Sequence, residues 1–362
     1  MAKKVLIMGI HDAMGGIEQV MYDYISRINS NNIRFVFASM HDKIVYQDEY
    51  EKMGCRMYRL PDIKKNPFAC ASALIKIIKH EKIDIVHYNM LSAANIVPLV
   101  IAKLAGCKQI IAHAHNTGTV GLHKYTLHYI NRVFIPLFAT GFLTCSDQAG
   151  YFMFGRRRKA LLIRNAVNVK KFLYDRKARK SVRDELKVDN NTLLIGHVGR
   201  FAEAKNHPFL IEIFRCIAQK HEPAKLLLIG TGHKEKEIRE LVDKYSLADR
   251  VIFYGVSPGI EKLYSAMDVF VLPSFFEGLS MVGTEAQCSG LFVVASDTIS
   301  KQMDIAGQVR WHSLNDPPQQ WAKTILECVP MRKTENVSAA ITKAGYDIIE
   351  EAGKLEQLYL IN

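Results

Sequence analysis

"LLIGHVGRFAEAKNHPFL", residues 193–210, decides the fold. Its first seven residues are apolar apart from His197 and broken by glycine, so they read as a buried strand. A loop carrying two cations, Arg200 and Lys205, follows. His207–Pro208 then opens a helical pattern, where proline suits the first turn because its missing N–H would find no partner there anyway. An apolar strand feeding a helix is the repeating unit of a parallel sheet covered on both faces.

Further units flank this one. Downstream, "AKLLLIG" (224–230), "VIFYGV" (251–256), "VFVLPS" (269–274) and "LFVVAS" (291–296) read as strands, with helices over His207–Lys220 and Lys234–Tyr245. Upstream lie "KVLIMGI", "IRFVFAS", "CRMYRLP", "IDIVHYN", "QIIAHAH" and "TGFLTCS", with helices over Gly16–Ile28 and Pro67–His80. The polar stretch Val169–Asn191 between the two series reads as a linker. The expected fold is therefore α/β: two doubly wound, Rossmann-like parallel-sheet domains facing a cleft, over residues 1–168 and 169–345. A terminal helix over about 346–362 can pack on either domain, including back on the first.

The composition, 49% hydrophobic and 23% charged, is that of a globular protein. No run reaches the roughly 18 apolar residues of a membrane span. The N-terminus reads as a first strand rather than a signal peptide. Seven scattered cysteines, an odd number without a CxxC pair, fit a reducing cytoplasm and offer neither a disulfide framework nor a zinc site. The net charge of +12 is uneven: residues 1–168 hold 22 Lys/Arg against 11 Asp/Glu, and residues 169–362 hold 26 against 25. A basic first half suits an anionic partner such as a phospholipid surface, a phosphorylated acceptor or a nucleic acid; an idle basic surface is the alternative.

In a doubly wound sheet, ligands sit beyond the carboxyl ends of the strands. After the first strand, Gly15-Gly16 marks a turn that permits positive φ and a close approach of backbone to an anion at a helix start. After 193–199, Arg200 and Lys205 beside a helix start suit a diphosphate, with a solvated pair as the alternative. After 269–274, "FFEGLSMVGTEAQ" (275–287) places Glu277 in a loop beside two phenylalanines and Glu285 on the next helix, which Gly290 closes. In "IIAHAHN" (110–116), His113 and His115 point the same way from an extended segment.

Taken in order, "GRFAEAKNHPFLIEIF", "LLLIGTGHKEKEI" and "VLPSFFEGLSMVGTEAQCSG" resemble the retaining glycosyltransferases of family 4, which have the GT-B fold. "MGGIEQ", "IDIVHYN", "IIAHAHN" and "LIRNAVNVKKF" resemble them too, so the likeness runs from about residue 4 to beyond 300. It is greatest to the bacterial enzymes of capsular and exopolysaccharide assembly. The resemblance implies that Arg200 and Lys205 hold the diphosphate of a nucleotide-sugar, with a UDP-sugar the expected donor, so that no metal or other cofactor is needed. It implies that Gly15 and Gly16 approach the phosphates, that the backbone N–H groups of Leu279 and Ser280 bind the distal phosphate, and that Gly278 belongs to the same nucleotide-sugar-binding loop. Tyr254, Gly255 and Val256 would lie at the base, Glu277 at the transferred sugar and Glu285 at the ribose. His115, with His113 second, would lie near the donor sugar. The catalytic set implied is Glu277, His115, Arg200 and Lys205.

The sequence departs from the family at Arg164, where proline is frequent, at Ala166, where glycine is common, and at "TISKQMDIAG" (298–307), which replaces a glycine-rich turn. The acceptor implied is a glycan or lipid-linked glycan, met in the cytoplasm or at the inner face of the membrane. "HKYTLHYINRVFIPLF" (123–138) and "FGRRRKALLIR" (154–164) are the segments suited to an anionic surface, a buried core helix being the alternative for the first. Two other functions compete. One is a nucleotide-sugar epimerase or hydrolase of the same fold, marked by donor consumption without acceptor. The other is a nucleic-acid binder, which the chain argues against because it has no aromatic-basic stripe.

Overall fold

In the computed structural model, which describes every residue except 1, 29–30, 120, 222, 258, 278–279, 334–336 and 362, two parallel sheets organise the chain. By their contacts the residues form two units, Met1–Ala166 with Ile348–Asn362, and Val167–Asp347. The first holds β1 (Lys3–Met8), β2 (Ile33–Ser39), β3 (Arg56–Arg59), β4 (Ile85–Met90), β5 (Gln109–Ala114), β6 (Gly141–Thr144) and β7 (Leu161–Leu162), in the order β3-β2-β1-β4-β5-β6-β7. The second holds β8 (Leu193–Val198), β9 (Ala224–Ile229), β10 (Val251–Gly255), β11 (Val269–Leu272), β12 (Val293–Ser296) and β13 (Val309–His312), in the order β10-β9-β8-β11-β12-β13.

The central strands are apolar on both faces because helices cover both. Val5, Leu6 and Ile7 of β1, Leu226–Leu228 of β9 and all of β11 are buried. Strand order reverses between β1 and β4 in the first sheet and between β8 and β11 in the second. Connections leave such neighbours toward opposite faces, so a crevice opens beyond their carboxyl ends. The loops after β1, β8 and β11 are those holding Gly15-Gly16, Arg200 with Lys205, and Glu277.

Two strands escape the sequence reading. β7 is only two residues long and follows a basic run, and β13, "VRWH", alternates as a partly exposed edge strand does. The terminal helix spans Ile348–Leu360 and packs within the first unit on β1 and on the Gly16–Ile25 helix.

Val169–Asn191 is not a linker. It belongs to the second unit and forms helices at Val169–Phe172 and Arg176–Glu185. Its charges mislead because two of them turn inward. Arg179 and Arg183 donate to the backbone oxygen of Ala266, left open where the Ile260–Ala266 helix ends, and both also bind Asp268. Arg183 is 1% exposed and donates as well to Asp189 O and Thr192 O. Removing a buried cation that satisfies this many acceptors leaves them orphaned. Arg183→Ala should therefore cost about 3 kcal/mol in urea unfolding. A loss near zero would show that water replaces the guanidinium.

Candidate functional site

At the β8/β11 switch point the cation loop and the acid loop meet. Lys205 ends the turn Glu203–Lys205, and its Nζ lies 2.8 Å from Glu277 Oε1. Ser274, two residues past β11, donates its hydroxyl to the same oxygen at 2.6 Å. Backbone pairing ties the loops together too, Phe275 N donating to Ala204 O at 2.8 Å. Gly199 makes room for this: a Cβ there would stand 3.0 Å from the Lys205 side chain. Burial alone would push the Glu277 carboxyl up, but the Lys205 charge and the Ser274 and Ser280 hydroxyls hold it below the ordinary carboxylate value. The result is an ionised carboxylate locked to an ammonium at the sheet's crevice.

Glu285 sits on the Met281–Cys288 helix, which turns out through Gly290. Its carboxylate is buried and accepts the Tyr264 hydroxyl at 2.8 Å. Tyr264 feels the charges of both Glu285 and Glu277, which help to raise its phenol well above the ordinary value once burial has done so. Tyr264 thus binds one glutamate and feels the charge of the other. Ser280 stands at the N-cap position without a side-chain cap bond and is buried, whereas Gly278 and Leu279 lie outside the described residues. Arg200 stands exposed just past β8. Tyr254, at the end of β10, gives its hydroxyl to Glu185, and Gly255 and Val256 follow it, Val256 exposed.

In the first unit, the Gly16–Ile25 helix starts after β1 with Gly15 as an extended N-cap. Neither Gly15 nor Gly16 takes positive φ, so that part of the sequence reading is corrected. The turn is made by extended backbone, and a Cβ at Gly16 would meet nothing within 4 Å. The helix start thus has no crowding on the Cβ side of Gly16, and a helix N-terminus is where an anion is favoured. Glu18, in the helix's first turn, closes the loop by accepting the His11 N–H at 3.1 Å.

His113 on β5 and His115 just beyond it lie on the same side with ring centroids 3.9 Å apart and planes tilted by 42°. Burial lowers both, His115 to about 4, so both are neutral near pH 7. His115 is thus a hydrogen-bonding group there, not an acid. Its Nε2 lies 2.8 Å from Asn89 Oδ1.

Ser274, Tyr264 and Asn89 are the site neighbours that the sequence reading misses. Ser274 had a signal, since a hydroxyl at a strand's carboxyl end beside a loop acid is well placed to hold it. Tyr264 reads as plain helix core. Among the described residues no group of three or more His, Cys, Asp or Glu has metal-holding geometry.

Two Rossmann-like parallel sheets, the second with a cation–carboxylate pair and a buried acid at its switch point, make up a fold of the GT-B class. Residues 178–344 match the family model described as glycosyl transferases group 1, and residues 14–170 match that of glycosyltransferase family 4. The chain belongs to the family 4 glycosyltransferases. It is 29% identical over 365 residues to the putative glycosyltransferase EpsF of Bacillus subtilis, covering 96% of this chain and 94% of that one. It is 25% identical over 236 residues to the UDP-Gal:alpha-D-GlcNAc-diphosphoundecaprenol alpha-1,3-galactosyltransferase of Escherichia coli, covering 62% and 60%. The crystal structure of Anabaena Alr3699/HepE in complex with UDP-glucose shares the fold, with a TM-score of 0.81, 19% identity and 99% and 100% coverage.

Proposed function

We propose that this glycosyltransferase is a retaining, metal-independent hexosyltransferase that moves a sugar from a UDP-sugar to a hydroxyl of a polysaccharide or lipid-linked oligosaccharide, in capsular or exopolysaccharide assembly. The observation that carries the reading is the Lys205–Glu277 pair at the β8/β11 switch point. A carboxylate that shares one oxygen between an ammonium and a hydroxyl is a poor nucleophile, which favours transfer on one face of the sugar. In that step the sugar–oxygen bond to the diphosphate breaks and the new glycosidic bond forms. The acceptor proton passes to the leaving phosphate.

Arg200 and Lys205 neutralise the diphosphate as it leaves, supplying the positive charge that a metal otherwise provides. Glu277 holds the sugar, Glu285 the ribose, and Tyr254–Val256 the base. Gly15-Gly16 and the Ser280 helix start take phosphate, and His115, with His113 second, takes the sugar. The E. coli relative's name specifies a UDP-linked donor and a diphosphoundecaprenol acceptor, which supports both substrate classes.

A thermal-shift panel tests the donor, because a ligand that binds only the native state raises its melting temperature. UDP and a UDP-sugar should each raise it, and EDTA should leave transfer unchanged. No shift with any UDP, GDP or ADP compound would overturn the reading.

The acceptor side is supported by an exposed apolar surface. The Leu122–Asn131 helix buries only His128, which accepts from Ala93 N, so it is not the core helix that the sequence also allowed. Leu122 is 83%, Ile130 53%, Val133 64% and Leu137 65% exposed, with Lys124 and Arg132 among them. Apolar side chains interleaved with cations are what an interfacial helix presents to anionic lipid. The protein should float with liposomes containing phosphatidylglycerol and not with phosphatidylcholine alone. Failure to float with either would remove membrane contact from the proposal. No helix is long and apolar enough to cross a membrane among the described residues.

A further inference from the structure

Behind His113 and His115 the first sheet carries two hydrogen-bonded chains whose direction can be worked out. Asn89 Nδ2 lies 3.0 Å from Met8 O, a carbonyl that can only accept, so the amide nitrogen faces it and Oδ1 faces His115. Oδ1 accepts too, and it lies 2.8 Å from His115 Nε2. His115 therefore carries its proton on Nε2 and presents a lone pair at Nδ1. That Nδ1 is buried and has no partner among the described residues.

The second chain starts on the terminal helix. Tyr359 is fully buried, and among the described residues its hydroxyl has one hydrogen-bonding partner, His87 Nδ1 at 2.5 Å. Its hydrogen has nowhere else to go, so Tyr359 donates and the His87 proton is on Nε2. That nitrogen lies 3.0 Å from His113 Nδ1 and donates to it, which leaves the His113 proton on Nε2. This N–H is also buried without a partner. Burial keeps the rings neutral, with His87 lowered to about 3.

We propose that Tyr359 and Asn89 are positioning residues that give His113 and His115 opposite hydrogen-bonding polarity, so that the pair holds one neutral hydroxyl. The hydroxyl accepts from His113 Nε2–H and donates to His115 Nδ1. An anion would satisfy the first and be repelled by the lone pair of the second; an ammonium would do the reverse. Only a group that both donates and accepts fits both. Buried orphan atoms of opposite sense, on rings whose centroids lie 3.9 Å apart, are costly unless a ligand completes them. The assignment of that hydroxyl to the donor sugar rests on the function proposed above; the polarity of the two rings does not.

The test is ring nitrogen NMR on the full-length 15N-labelled chain, with the histidine signals assigned by single substitutions. His87, His113 and His115 should each show a protonated Nε2 and a bare Nδ1. A proton on Nδ1 of His113 or His115 in the wild-type chain overturns the proposal outright. Tyr359→Phe keeps the ring but removes the donor, and should shift the His113 proton toward Nδ1 while His115 stays as it was. Unchanged His113 would show that Tyr359 does not set it.

UDP-glucose, UDP-galactose and UDP-N-acetylglucosamine serve as probes, with UDP as control. At least one sugar donor should move the His113 Nε2 and His115 Nδ1 signals while UDP leaves them in place. Tyr359→Phe should weaken that donor about fivefold, one hydrogen bond's worth, without changing UDP affinity. Equal losses for both would mean a general defect and overturn the positioning role. Donors that bind without moving either signal overturn the hydroxyl site. If neither UDP nor any donor binds, the functional reading fails and takes the sugar assignment with it, while the wild-type proton positions still decide the rest.

Discussion

Glu277→Ala should abolish sugar transfer, by at least about a thousandfold in kcat, while UDP binds as well as before or slightly better. The asymmetry follows from what Glu277 touches. Its carboxylate holds Lys205 at 2.8 Å, so it competes with a diphosphate for that ammonium. Removing it frees the cation for the nucleotide and costs only the group that orients the sugar. Glu277→Gln keeps the shape and the Ser274 hydrogen bond but not the charge, and should fall between the two. Isothermal titration with UDP and turnover with a UDP-sugar separate the effects. A variant that loses UDP affinity and turnover together would place Glu277 on the nucleotide instead.

That asymmetry is not readable from sequence, although much around it is. The strands at 4–10, 33–39, 83–89, 193–199, 224–230 and 269–274 were legible because both of their faces are buried, and a continuous apolar run then marks the strand. The helix starts at Gly16, Pro67 and His207 were legible from glycine and proline at the turns. Arg200, Lys205, Glu277 and Glu285 were legible as candidates because they follow strands. Their pairing was not: Lys205 and Glu277 are 72 residues apart, and only the neighbouring of β8 and β11 in the sheet brings them together. Arg183 failed for the opposite reason. A charged residue in a charged stretch reads as solvated, and its burial depends on open carbonyls at the end of a helix more than eighty residues later. His87 and Tyr359 are 272 residues apart, and nothing in a terminal apolar pattern announces a phenol that must find a histidine.

Lys205→Ala should weaken UDP about a hundredfold, more than one lost phosphate contact explains, because it leaves a largely buried carboxylate without its cation where the diphosphate must come. In the wild-type protein Glu277 titrates below its ordinary value, because the pull of Lys205 and the hydroxyls outweighs burial. Its contribution to stability is thus present above the unfolded carboxylate pKa and is lost as pH falls through the lowered folded value. Without Lys205 the sign reverses. Burial then pushes the carboxyl up, so Lys205→Ala destabilises most near neutral pH and recovers as acid protonates Glu277. UDP affinity should recover over the same range, since protonation removes the like charge facing the phosphates. The double variant Lys205→Ala/Glu277→Ala should regain part of the lost affinity at neutral pH, a coupling that only residues in contact show. Additive losses with no pH-dependent recovery would mean that the two side chains meet the donor independently and that their ion pair plays no part in holding it.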